Sequence, residues 1–160
     1  MTRTWIILFF CLVFWSGFAV LQLDRQAFYK TLSSGDEASI DKAIAGLEKQ
    51  KLTSRVSAYK GALMMKKAGF IKGAKGKVKT FKEGAALLEN EIKGSPDNME
   101  YRFLRLTVQE NAPKILKYNK QLDEDKQAIV SNFDKLESDL KAVISDYAKH
   151  SKVLQATDLK

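Results

Sequence analysis

The sequence predicts an all-α domain, either a helical bundle or a stack of helix hairpins, behind an apolar N-terminal segment. Three observations carry this. Only two prolines interrupt 160 residues, and Ala, Leu, Lys and Glu, the residues that lose least in a helix, are abundant. Apolar side chains recur three and four positions apart in window after window, whereas convincing two-residue alternation is rare. Hydrophobic residues make up 45% and charged residues 29%, which suits one folded domain with a core and argues against disorder.

Residues 1–23 stand apart. Arg3 precedes the uncharged run WIILFFCLVFWSGFAV, and Gly17 and Ala19 supply the small-x-small ending of a secretory leader. Cleavage is therefore expected near Ala19, giving a signal peptide over 1–19 and a single helical domain over 24–155. The alternative is an uncleaved anchor reaching to about residue 23, because about nineteen largely apolar residues approach the length that spans a bilayer. Cys11 follows LFF rather than small residues, the wrong setting for lipoprotein acylation. Either way the chain is expected to be exported to the periplasm or cell envelope, soluble if the leader is removed and otherwise anchored.

Past a short segment holding Phe28 and Leu32, Ser34 with Glu37 reads as a capping box. Ile40, Ala43, Ile44 and Leu47 then form one apolar stripe ending around Lys51. Thr53 or Ser54 caps the next helix, with Val56, Tyr59, Leu63 and Met64 as core candidates. Gly61 in its middle costs about 1 kcal/mol relative to alanine, and close approach of a neighbouring helix is the natural compensation. Gly69 is the expected left-handed terminator, followed by a basic connector to Gly76.

From Lys77 the spacing of Val78, Phe81, Ala85, Leu88 and Ile92 gives the clearest helical signal, stopped by Gly94-Ser95-Pro96. Asp97, with Glu100 three residues on, caps the following helix. Tyr101, Phe103, Leu104, Leu106 and Val108 partly alternate as a strand would, but the capping signals before them and Pro113 after favour a helix with two apolar sides, wedged between neighbours. A turn near 118–123 leads to a helix carrying Ile129, Val130 and Phe133. Asp134 and Glu137 cap a long terminal helix running from Leu136 to Leu154, and 156–160 form a frayed tail.

The segment GAALLENEIKGSPDNMEYRFLRL, residues 84–106, resembles the junction between two tetratricopeptide repeats. Gly84, Leu88, Ile92 and Pro96 take the places that close one repeat, and Tyr101 and Leu104 those that open the next; Glu91 stands where that family prefers alanine. The likeness covers about one repeat, and a 34-residue period does not recur cleanly around it. The run from Glu100 to Lys126 is also similar to small exported proteins of Bacteroidota. The repeat resemblance implies non-enzymatic binding of a protein or peptide on a groove lined by the first helix of each pair, with Tyr101, Leu104 and Arg105 as the expected partner-binding residues.

Chemistry-bearing motifs are few. Gly76-Lys77 is followed by Val78, and Ile71 stands where a phosphate loop needs glycine, so nucleotide binding is not supported. His150 is the sole histidine and lies near a helix end. Asp123, Glu124 and Asp125 point in different directions on a helix, which suits a helix-start charge cluster better than a calcium loop. No metal and no cofactor is therefore expected. With one cysteine inside the leader and one histidine, a nucleophile-base pair is missing, and no enzyme activity is expected. Paired carboxylates facing each other in a deep pocket would be the exception. Met64, Met65 and Phe70 fit either a core or an adaptable contact surface.

Electrostatics is the stronger signal. Between Glu48 and Glu83 there are ten lysines and Arg55 and no acid, within a chain of net charge +8. Lys72, Lys75, Lys77, Lys79 and Lys82 are the candidate anion-binding residues. Behind an export leader the available polyanions are envelope lipids or acidic proteins rather than nucleic acid. Two readings follow: a protein or peptide partner steered by these lysines, or attachment of the lysine-rich 60–82 segment to an anionic envelope surface. A third is that the lysines only keep a connector hydrated. The leader itself is testable, because both tryptophans, Trp5 and Trp15, lie within it. Protein recovered from its native secretion route should show tyrosine emission alone, and a tryptophan band would contradict cleavage near Ala19.

Overall fold

The computed structural model describes residues 24–159, and the expected leader or anchor, with Cys11 and both tryptophans, lies outside them. Among the described residues all regular structure is helical: α1 (Arg25–Ser33), α2 (Glu37–Glu48), α3 (Ser54–Lys67), α4 (Ala74–Gly94), α5 (Met99–Asn111), α6 (Leu122–Asn132) and α7 (Ser138–Ala148). Short 3-10 turns sit at Lys114–Leu116, Phe133–Lys135 and Ala156–Asp158. None of these helices is long and apolar enough to cross a membrane.

Four helices begin at side chains that take up the free N–H groups of a first turn. Asp24 accepts from the Gln26 backbone at 2.9 Å, Asp36 from Ser39 at 3.0 Å, Thr53 from Val56 at 3.2 Å and Asn98 from Tyr101 at 3.2 Å. Two caps thus differ from expectation by one or two positions, Asp36 replacing Ser34 and Asn98 replacing Asp97. Gly69 is not the left-handed residue after α3. A positive φ is found instead at Gly73 (84°), the residue before α4, so the basic connector ends before Gly76 and Lys75 is already helical.

Successive helices pack on one another, α2 on α3, α3 on α4, α4 on α5 and α5 on α6, while α1 lies against α2, α3 and α7. Each helix from α2 onward sends a fully buried side chain into one core: Ile40, Leu63, Leu88, Leu104, Ile129 and Ile144. Full burial of such a residue is worth about 1.5–3 kcal/mol. α5 differs from the rest in being buried around nearly its whole circumference, from Tyr101 through Gln109, so the two-sided wedge and not the strand is realised.

The C-terminal region departs from the expected long helix. α7 ends at Ala148, and the Ser151 hydroxyl then accepts from the Val153 and Leu154 backbones at 3.0 and 2.9 Å, turning Leu154 into the core. Residues 156–158 are not frayed: the Asp158 carboxylate accepts from the Gln155 backbone and pairs with Lys126, both at 2.8 Å. Met65 rather than Met64 is the buried methionine.

The α3–α4 pairing depends on two glycines facing each other. A Cβ added to Gly61 would lie 2.6 Å from the Gly84 carbonyl oxygen, and one added to Gly84 would lie 2.6 Å from that of Gly61. Backbone, unlike a flexible side chain, cannot swing away. Gly46, in α2, has nothing within 4 Å of an added Cβ. Gly61→Ala and Gly84→Ala should each lose about 1–3 kcal/mol through forced separation of the helices. Gly46→Ala should instead gain up to about 1 kcal/mol from helix propensity. Urea unfolding of the three variants checks the contrast.

Candidate groove and its charged surroundings

The three residues expected to bind a partner are interior. Tyr101 is 5% exposed, Leu104 0% and Arg105 6%, so none offers a surface. Their burial follows from the position of α5 among its neighbours. The Arg105 guanidinium is held by both Asp125 oxygens at 2.7 and 2.8 Å and by Glu89 at 2.9 Å. Tyr118 donates to the other Glu89 oxygen at 2.6 Å, and Arg102 reaches Asp125 at 3.0 Å and Glu124 at 2.9 Å. Asp125 is therefore a buried counter-ion, while Asp123 stays exposed in the first turn of α6.

Glu100, the expected capping-box partner of Asp97, is likewise spent elsewhere. Its carboxylate receives Arg25 at 2.8 and 3.1 Å, Arg55 at 3.1 and 3.3 Å, and the Tyr59 hydroxyl. Arg25 also pairs with Glu137 at 3.0 Å and with Asp139. Burial and the Glu100 charge push the Tyr59 hydroxyl well above its ordinary pKa. These partners lie 75 and 45 residues away in sequence, beyond the reach of any local motif.

The open surface lies elsewhere. A groove of about 1680 Å³ is bordered by α1, the α3–α4 turn, the first turns of α4, the end of α5 with residues 112–117, and α7. Its lining includes Leu32, Phe70, Val78, Phe81, Leu116 and Val143. Val78 was expected in the core but is 37% exposed. It falls in the first turns of α4 and borders the groove; nearby, an added Cβ at Gly76 would meet Ile71, in the turn that follows α3, at 3.0 Å. Phe81, one turn on, is buried at 6% with its edge against Tyr118.

The expected anion-binding lysines are all exposed. Lys72 lies in the turn before α4, and Lys75, Lys77, Lys79 and Lys82 lie on its first turns. Lys77 and Lys82 border the groove, joined there by Lys30, Lys66 and Lys117. Lys77 donates to the Gly69 carbonyl at 3.2 Å, and Lys79 makes a long contact with Glu83 at 3.9 Å. Among the described residues Lys30, Lys66, Lys82 and Lys117 form no ion pair, unlike Lys60, Lys67 and Lys126. His150 is exposed at the groove's edge, and among the described residues no three His, Cys, Asp or Glu side chains gather as metal ligands do.

The groove's acids are committed internally. Asp24 caps α1, Asp146 pairs with Lys149 at 3.0 Å, and Glu110 accepts from Tyr147, from the Ser151 hydroxyl at 2.6 Å and from the Lys152 backbone at 2.6 Å. Burial opposes the Glu110 charge, but the hydrogen bonds from Ser151, Tyr147 and Lys152 outweigh it and hold the carboxyl below its usual value of 4.5. Compared with family models, curated proteins and solved structures, the chain has no match.

Because the Glu110 carboxyl titrates lower in the folded than in the unfolded chain, its stabilisation is complete above about pH 4.5 and is lost as pH falls through the folded value. Glu110→Gln should therefore flatten the acid limb of stability below about pH 4.5. Denaturant midpoints measured across that range check this; an unchanged acid limb would show that Glu110 is not a source of it.

Proposed function

We propose that the protein is an exported, non-enzymatic binding protein of the cell envelope, built of tetratricopeptide-like helix hairpins, that holds a segment of another protein. The observation that carries the reading is the groove. At about 1680 Å³ it exceeds the roughly 300–1000 Å³ of small-molecule pockets, and its exposed apolar side chains, Val78 at 37% and Ile115 at 87%, gain by being covered. A binding role is supported further by the two most buried carboxylates. Glu100 and Asp125 are each saturated by arginines, which suits structural anchoring better than proton transfer. The sequential packing of neighbouring helices agrees with a hairpin array, although the binding face is no longer α5.

The second reading, attachment to an anionic envelope surface, draws on the common exposure of Lys72, Lys75, Lys77, Lys79 and Lys82 on one turn and one helix start. One set of variants separates the two. Cross-linked capture from the cell envelope should fall about tenfold with Val78→Asp and survive Leu52→Asp, the same replacement of an apolar side chain by a carboxylate at a residue 79% exposed outside the groove. Sedimentation with anionic vesicles that is abolished by modest salt and by Lys→Gln at 72, 75, 77 and 79 would favour attachment instead. Capture lost with Leu52→Asp but kept with Val78→Asp contradicts the groove reading.

A further inference from the structure

Resting on the groove reading, we infer that its occupant is an amphipathic helix carrying acidic residues on the flanks of its apolar face. Size sets the form. One helical turn, about 10 Å wide and 5.4 Å long, displaces roughly 400 Å³, so the groove's volume equals that of about four turns, or some fifteen residues. A helix laid into an apolar groove buries side chains at three- and four-residue spacing while satisfying its own backbone.

Charge sets the flanks. Lys30, Lys66, Lys82 and Lys117 come from α1, α3, α4 and the segment after α5, border the groove, and find no carboxylate among the described residues. The three acids that share the border, Asp24, Glu110 and Asp146, are all engaged by the protein's own donors. With Lys77, five lysines face three acids on this border, so the rim carries a positive excess around an apolar interior, and complementarity selects an occupant that is apolar on one side and negative at its edges.

The same charge pattern rejects the rival occupants. The chain's own residues 1–23 are apolar enough but carry Arg3 and no acid, so they leave the lysines unmatched. A second copy brings net charge +8 to a rim already cationic. Nucleic acid offers the negative charge but no aliphatic face for Leu32, Val78 and Val143.

Three labelled peptides of about fifteen residues serve as probes: one with leucines along one face and glutamates beside them, one with lysines replacing those glutamates, and a glutamate-rich peptide lacking the leucines. Fluorescence anisotropy against the full chain should show the Leu/Glu peptide binding about tenfold tighter than either other peptide, with the advantage shrinking as salt rises. Paired Lys30→Glu and Lys117→Glu should reduce that advantage to about threefold or less, while Lys75→Gln with Lys79→Gln, on α4 but outside the groove, should leave it intact. Equal binding of the Leu/Glu and Leu/Lys peptides, both sensitive to Val78→Asp, overturns the acidic preference and keeps the groove. Failure of both leucine peptides overturns the groove as well. Binding of phosphatidylglycerol vesicles that is sensitive to Val78→Asp, with no peptide bound, assigns the groove to lipid and overturns the inference.

Discussion

A helix buried around nearly its whole circumference must have its charges matched by neighbours, and α5 meets that constraint at three heights. Near its start Glu100 is held by Arg25 of α1 and by Arg55 and Tyr59 of α3. At its middle Arg105 joins Glu89 of α4 to Asp125 of α6. At its end Glu110 takes Tyr147 of α7 and Ser151 just beyond. Apolar burial provides the stabilisation, because an ion pair withdrawn from water gains little net free energy. What the pairs add is position: an unmatched buried charge costs several kcal/mol, so helices that fail to deliver their partners to α5 are penalised.

This arrangement decides which face of the molecule can act. With α3, α4 and α6 committed to α5, the surface that a hairpin array would offer along α5 is closed. α1 is drawn in through Arg25, and α7 through Tyr147 and the edge-on contact of its ring with Phe103 at 5.3 Å. Between these helices and the overhanging start of α4 the groove remains. Inside the fold, carboxylates and arginines cancel; at the groove's border, lysines are left over. That contrast separates charges used for folding from charges available to a partner.

How much of this was legible depended on range. The α4 stripe Phe81, Leu88 and Ile92 was plain because period and burial coincide, and the close approach at Gly61 followed from a glycine where a helix has no local use for one. Val78 continued the same period and yet faces the groove, since periodicity reports a direction around the helix but not where the neighbouring helix ends. Asp97 and Ser34 were passed over for Asn98 and Asp36, all four being residues with the same capping chemistry. Tyr101, Leu104 and Arg105 were assigned to a partner through the repeat resemblance, although an apolar pattern on two sides already spoke for burial. Asp125 and Glu100 find their arginines 20 and 75 residues away, a separation that local patterns do not encode. The lysines were visible as a run, but the groove that Lys66, Lys77 and Lys82 border is assembled from four separate stretches of the chain.

The central claim is that binding occurs at the groove between α1, the start of α4, the end of α5 and α7, and not at residues 101–105 of α5. Methyl NMR of the full chain during titration with the Leu/Glu peptide tests it most directly. Shifts concentrated at Leu32, Val78, Leu116 and Val143, with Leu104 and Leu52 unmoved, are the predicted result. Shifts centred on Leu104 and Leu106, or on Leu52, would contradict it.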